Sequence, residues 1–381
     1  MKVVLATDAV RPPLTGIGRY VLELARRLPT VPGVQNVCYL SGQRVFHSID
    51  EQLGSPGIPA AVRERLAGNR LAVLAYRVVS PIQKYAALRK YPDHIFHGPN
   101  FYLPPFNGRR VVTIHDLSVF KWAHCHPVER VRFMQKEIPL ALKRADVVVT
   151  VSEFIRREVM EFFGLSRKRV VVIPLAAAAE FVPRTHDESH PVLSDHGLRY
   201  GGYTLFVGTI EPRKNLSGLL DAYSILPREV RQGYPLVVVG DRGWRSEALH
   251  DRLMSAQREG WAAYLGYVAE ADLPVIFSSA RAFAFPSLYE GFGLPVLEAM
   301  ASGVPVVCSN SASLPEVAGN AAAICSAEDV DALSRLLLRA IEDEEWRQDA
   351  IAAGLAHART FSWDRMALLT VEAYRIAERA A

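Results

Sequence analysis

Short, nearly continuous apolar runs recur through the chain, each closed by a polar turn and followed by a segment with helical spacing. After the first run, at 2–8, "GIGRYVLELARRL" sets Ile17, Val21, Leu24 and Leu28 four, three and four residues apart, the stripe of a helix that buries one face. Further apolar runs lie at 37–40, 94–96, 111–114, 147–151 and 170–173. Strands apolar on both faces and separated by helices predict a parallel sheet covered on each side. Residues 182–202, "VPRTHDESHPVLSDHGLRYGG", break the pattern with polar side chains, two prolines and a Gly-Gly, and predict a linker. The alternation then restarts: "YTLFVG", "PLVVVG", "AFAF", "VPVVC" and "AAAI" have the character of strands, and "NLSGLLDAYSIL" that of a helix capped by Asn215. The expected architecture is α/β, with two Rossmann-like doubly wound domains, 1–180 and 198–362, facing a cleft. A last helix within 363–381, marked by Met366, Leu369, Val371, Tyr374 and Ile376, either ends the second domain or crosses back onto the first. In such sheets ligands bind beyond the carboxyl ends of the strands, and a cleft between two sheets is the natural site.

Composition narrows the class. Of 381 residues, 50% are hydrophobic, enough for packed cores and incompatible with disorder. No stretch reaches the roughly 20 unbroken apolar residues of a membrane span, and "MKVVLATDAVRPP" lacks the apolar core of a signal peptide. Cys38, Cys125, Cys308 and Cys325 lie far apart without a CxxC, which suits a reduced cytoplasmic setting. Charge is uneven: residues 1–190 hold 27 Lys and Arg against 16 Asp and Glu, a balance of +11, and residues 191–381 hold 17 against 24, a balance of −7. A basic half facing an anionic partner and an ordinary solvated surface both fit that asymmetry.

Four segments could carry chemistry. In "SLYEGFGLPVLEAMASGVPVV", at 287–307, Glu290 follows a strand, Gly291, Phe292 and Gly293 form a glycine turn, and a helix opens with Pro295 at its first position. Glycines admit a ligand close to the backbone and the helix N-terminus presents free N–H groups to an anion, with Glu290 and Glu298 placed to meet hydroxyl groups on either side. In "FVGTIEPRKNLSGLL", Arg213 and Lys214 stand between a strand and a helix, a suitable diphosphate site or else a solvated basic turn. In "VVTIHDLSVF", His115 and Asp116 end a strand, where the pair can polarise a hydroxyl or simply cap a turn. "PPLTGIGRY" approaches a dinucleotide fingerprint, but Val21 stands where the third small residue belongs. The loop is better suited to donate backbone N–H groups or make room for a substrate.

Together with "VTVSEF" at 149–154 and "FSWD" at 361–364, the strings "GIGRY", "HDLS" at 115–118, "GTIEPRKN" at 208–215 and "EGFGLPVLEA" at 290–299 resemble the retaining, nucleotide-sugar-dependent glycosyltransferases of GT-B fold, family 4. The resemblance covers nearly the whole chain and is greatest to the mannosyltransferase B-like branch, which builds bacterial surface polysaccharide. Its most specific element is the E-x7-E pair, Glu290 and Glu298.

By that resemblance Glu290 meets hydroxyls of the donor sugar and Glu298 the ribose. The amides of Phe292, Gly293 and Leu294 reach the sugar and diphosphate. Arg213 and Lys214 neutralise the leaving diphosphate, His115 sits against the donor sugar, and Gly16 and Gly18 line the cleft. Tyr267 and Val268 grip the base through the backbone. Many relatives carry an arginine directly after the strand; here that place is Thr209, and the charge moves to Arg213 beside Lys214.

The implied donor is a GDP-sugar carrying mannose or a 6-deoxyhexose such as rhamnose, transferred with retention, without cofactor or metal. The implied acceptor is a growing lipid-linked surface polysaccharide such as O-antigen, and no nucleic acid is involved. Residues 61–91 hold seven Lys and Arg against Glu64 alone, with apolar residues between, and suit peripheral contact with the anionic inner face of the cell membrane. A UDP-sugar donor, a nucleotide-sugar epimerase or hydrolase on the same fold, and an inactive nucleotide-sugar-binding subunit are the alternatives.

Overall fold

A computed structural model describes residues 1–11, 14–55, 83–244 and 246–380. The first sheet holds β1 (Lys2–Ala6), β2 (Asn36–Ser41), β3 (Arg44–Phe46), β4 (Ile95–Gly98), β5 (Arg109–Ile114), β6 (Val147–Thr150) and β7 (Val170–Val172), in the order β3-β2-β1-β4-β5-β6-β7. The second holds β8 (Thr204–Val207), β9 (Leu236–Val239), β10 (Ala262–Gly266), β11 (Ala282–Phe285), β12 (Val306–Ser309) and β13 (Ala322–Cys325), in the order β10-β9-β8-β11-β12-β13. The pairing is parallel throughout except between β2 and β3. In β4, β6, β9, β11 and β12 every residue is buried, so both faces are covered and the uninterrupted apolar runs are explained.

Two details differ from the expectation. β3 is an added antiparallel strand, too short for its period to register, and Gly42 (φ 61) makes the turn that leads to it. The expected linker contains a helix, His186–Asp195. Thr185 and Glu188 form a reciprocal capping box that starts it, and Ser189 and Leu193 are buried, so a local start signal outweighed the polarity and Pro191.

In each sheet the strand order reverses once, at β1/β4 in the first and β8/β11 in the second. The loops leaving adjacent strands diverge there and open a crevice. The Arg213 loop follows β8 and the Glu290 loop follows β11, so topology alone brings two segments 76 residues apart in sequence to one place.

The last helix, Trp363–Arg379, crosses back. It packs on β5, β6 and the helix Gly16–Arg27 of the first sheet, and Arg27 Nε donates to Asp364 at 2.7 Å. At its buried face Tyr374 Oη lies 2.8 Å from His97 Nδ1; His97 Nε2 lies 2.9 Å from Thr113 Oγ1, which is 3.0 Å from Tyr20 Oη. Burial pushes His97 down to about 3, with His115 acting in the same sense, so the imidazole is neutral. A neutral ring has one N–H and one bare nitrogen, so His97 donates to one of these two hydroxyls and accepts from the other.

Among the described residues no helix is long and apolar enough to cross a membrane. Most of the basic segment 61–91 lies outside the described residues. Of the part within them, Lys84 points inward: its Nζ is 2.7 Å from Asp8 Oδ2 and lies over the Tyr102 ring, and Leu88 belongs to the core.

Tyr374→Phe keeps the ring and removes one buried hydrogen bond. Stability should fall by about 1 kcal/mol, read as a lower urea midpoint with an unchanged m-value.

Candidate functional site

β8 ends at Val207, and the chain turns through Pro212–Lys214 into a left-handed Asn215 (φ 55), which caps the next helix by accepting from Gly218 N. The Asn215 amide donates to the carbonyls of Pro286 (3.1 Å) and Ala327 (2.8 Å), and Leu288 N donates to the Arg213 carbonyl (2.9 Å). These bonds stitch the loop after β8 to the loop after β11 and set their side chains face to face.

Arg213 lies at the centre, with two guanidinium nitrogens turned to different carboxylates. Nη1 donates to the Tyr289 carbonyl (2.6 Å) and to Glu290 Oε2 (3.3 Å); Nη2 donates to Glu211 Oε1 (2.6 Å). Lys214 Nζ donates to the other oxygen of Glu290 (2.6 Å) and lies over the Phe285 ring. Burial by itself would raise the Glu290 carboxyl, but Lys214, Arg213 and their hydrogen bonds outweigh it and hold the group below its ordinary value. Asp116, reaching in from the first domain, is treated alike: burial raises it, while Arg213 and the Ser118 hydrogen bonds lower it further. Arg213, opposed by burial but surrounded by Glu290, Glu211 and Asp116, is held firmly charged.

After Glu290 the backbone does the work. A Cβ on Gly291 would fall 2.1 Å from the carbonyl oxygen of His115, so only glycine lets the loop touch the first domain here. Gly293 (φ 106) is the N-cap of the helix Leu294–Ala301, whose N-terminus has no side-chain cap; Pro295 takes the second helical position rather than the first. The Ser152 hydroxyl donates to the Gly291 carbonyl (2.7 Å), and the Ser313 hydroxyl lies 2.9 and 2.8 Å from the carbonyls of Glu290 and Phe292. The carbonyls of the turn are so engaged, and the N-terminus of the helix that follows adds a partial positive charge.

The first domain closes on this turn. Tyr289 Oη accepts from Leu117 N (3.0 Å) and donates to Glu158 (2.5 Å), while Glu316 accepts from the amides of Glu153 (2.8 Å) and Phe154 (3.1 Å) at the start of the helix Glu153–Phe163. Leu14 N donates to Glu270 (2.8 Å), and Gly16 would bring a Cβ within 4.0 Å of Leu294. His115 donates from Nε2 to the Pro99 carbonyl at 2.8 Å and meets Tyr20 edge to face. Burial lowers its pKa against the opposing pull of that carbonyl and Asp116, so the ring is neutral with Nδ1 bare.

The geometry therefore assembles His115, Asp116, Arg213, Lys214, Glu290, Gly16 and the Phe292–Leu294 turn. Gly18 is a packing position, with a Cβ there falling 2.7 Å from the Ala9 carbonyl. Thr209 is exposed at the end of β8; Tyr267 is exposed and Val268 buried beyond β10. Glu298 is buried on the helix Leu294–Ala301, and burial raises its carboxyl to about 7 against the pull of Arg19. Sequence reasoning missed Glu211, although an acidic residue two positions before Arg213 is a natural counter-charge, and it missed Tyr289 and Ser313, whose roles exist only across the fold. The chain also contains one Asp-x-Asp, Asp329-Val330-Asp331; Asp329 caps a helix by accepting from Ala332 N.

Residues 201–357 match the family described as Glycosyl transferases group 1, and residues 14–180 match Glycosyltransferase Family 4. Over 380 residues, 99% of this chain and 100% of the relative, the sequence is 44% identical to the O-antigen chain mannosyltransferase B of Escherichia coli. The fold is shared with a sucrose-phosphate synthase from Thermosynechococcus elongatus (TM-score 0.71, 20% identity, all of both chains). It is also shared with Anabaena HepE solved in complex with UDP-glucose (TM-score 0.70, 18% identity, 100% of this chain and 99% of that one).

Two substitutions probe this geometry. Gly291→Ala forces the turn off His115 and should lower stability by about 1–3 kcal/mol, seen as an earlier thermal midpoint. Glu298 stays neutral in the fold up to about pH 7 but ionises above its ordinary 4.5 when unfolded, so its contribution to stability is full at acid pH and is lost as the pH rises across that window. Glu298→Gln cannot ionise, and its thermal midpoint relative to the parent should therefore climb between pH 4.5 and 7.

Proposed function

The chain belongs to glycosyltransferase family 4, and from that premise we propose that it transfers mannose, with retention, from GDP-mannose to a growing O-antigen chain. The observation that carries the proposal is the pairing of Glu290 with Arg213 and Lys214 beside an uncapped helix N-terminus. The near full-length likeness to an O-antigen chain mannosyltransferase supports the choice of sugar and acceptor.

Breaking the anomeric C–O bond leaves positive charge on the sugar and negative charge on the departing diphosphate. In this reading Lys214 Nζ moves from Glu290 to a phosphate oxygen, and Arg213, anchored on both sides, adds a fixed positive field. The amides of Phe292, Gly293 and Leu294 complete the anion site, so the charge is met by groups already in place and no metal is required of the chemistry. Glu290, freed of one cation, accepts hydrogen bonds from sugar hydroxyls. Neutral Glu298 can both accept from and donate to the ribose. His115, neutral and bare at Nδ1, accepts from a sugar hydroxyl. The acceptor oxygen attacks the face the diphosphate leaves, forming the new C–O bond as the old one breaks, and its proton passes to a leaving phosphate oxygen. Tyr267 and Val268 hold the base by their backbone, and the reaction runs at the cytoplasmic face of the membrane that carries the acceptor.

A thermal-shift panel with GDP, UDP, ADP and dTDP in metal-free buffer tests the donor. GDP at 100 times its dissociation constant should add about 2.7 kcal/mol of stability, and a preference for UDP would overturn the GDP assignment. Glu290→Ala should lose on the order of 100-fold in kcat while GDP affinity changes little; activity near that of the parent would remove Glu290 from the site.

A further inference from the structure

Beside the Arg213 cluster, on the side of Glu211, lies an aromatic and basic patch that the donor site does not use. Trp244, on the loop after β9, is 44% exposed and meets residues of the other domain: the Arg130 guanidinium lies 5.8 Å from its ring centroid, and the His126 ring meets it at 6.4 Å and 60°. Gly243 holds that loop down. Its amide donates to the Ile210 carbonyl (3.1 Å), and a Cβ there would fall 2.4 Å from the same oxygen, so Trp244 projects from a fixed stem. His126 is only 7% exposed and bonds Ser118 Oγ through Nε2 (2.9 Å), while its buried Nδ1 has no hydrogen-bond partner. The backbone amide of Ser118 donates to Asp116 (2.8 Å), and the charges His126 feels most strongly are those of Arg130, Glu211, Asp116 and Arg213.

We propose that Trp244, Arg130 and His126 form the subsite for the acceptor sugar, the terminal pyranose of the glycan that receives the transferred residue. This rests on the transferase reading above. A pyranose has an apolar face of C–H bonds and a rim of hydroxyls. An exposed indole matches the first, and a guanidinium with five N–H donors matches the second. A buried imidazole nitrogen without a partner is costly to maintain, and a sugar hydroxyl bonded to it relieves that cost in either tautomer, because a hydroxyl both donates and accepts. The position also suits the chemistry: the subsite adjoins Asp116 and Arg213, while Glu290 and the glycine turn lie on the other arm of that guanidinium. A sugar seated on Trp244 bridges both domains, since the indole belongs to the second and both polar groups to the first.

The test compares the parent with Trp244→Ala and Trp244→Phe, using octyl α-mannoside as the probe and GDP throughout. Calorimetric binding of the glycoside in the presence of GDP requires no turnover. Trp244→Ala should weaken it about tenfold, Trp244→Phe should weaken it less, and the dissociation constant for GDP should stay within about twofold in both. Arg130→Ala should also weaken the glycoside and not GDP. Unchanged glycoside binding in Trp244→Ala, or no binding to the parent, overturns the subsite. Loss of GDP affinity instead would show that the indole stacks on the nucleotide base, which overturns it equally. Failure of the transferase reading looks different: glycoside and GDP both bind, and no mannosyl product forms from GDP-mannose.

Discussion

A buried arginine whose two arms are held by different carboxylates organises the centre of this molecule. Arg213 takes Glu290 on one nitrogen and Glu211 on the other, and Asp116 adds its field from the opposite domain. Burying a guanidinium is tolerable only with such compensation, and removing any one partner would leave charge stranded in a dry site. The cluster thus ties the loop after β8 to the loop after β11 and, through Asp116, to the first domain. It is better regarded as a device for geometry than as a source of net stability, because each ion in it has lost its hydration.

The two domains meet where their backbones can come closest. Gly291 against the His115 carbonyl is a contact without side chains, flanked by Ser152, Tyr289 and Glu316, each bonding across the cleft. On the far side the final helix returns to the first sheet, and Tyr374, His97, Thr113 and Tyr20 form a buried neutral chain that ends against His115. The crevice is therefore held from two directions. The last residues of the chain help to set the ring at its mouth.

Much of this was legible in the sequence, for identifiable reasons. Parallel strands buried on both faces leave uninterrupted apolar runs, so β1, β2, β5 and β6 and, in the second sheet, β8, β9, β11 and β12 could be found by inspection. Glu290, Arg213 and Lys214 could be singled out because they stand between a strand and a helix start, at the strand ends where ligands of such sheets bind. The helix His186–Asp195 was hidden by polarity and proline although Thr185 and Glu188 announced it, and β3 was hidden by its length. Glu211 stood two positions before Arg213 as a ready counter-charge, whereas Tyr289, Ser313 and Trp244 gave no distinct signal, since nothing about an isolated tyrosine, serine or tryptophan says what will face it.

The sequence by itself determined the alternation of strands and helices, the two-domain division and the chemical types gathered near the strand ends. Local spacing, caps and turn residues encode these within a dozen residues of chain. Tertiary structure alone decided which charges pair, why Gly291 must be glycine, that the final helix crosses back, and which aromatic of one domain faces which cation of the other. These are contacts between residues tens to hundreds of positions apart, and they come into being only when the reversal of strand order opens a crevice and the two sheets close on it.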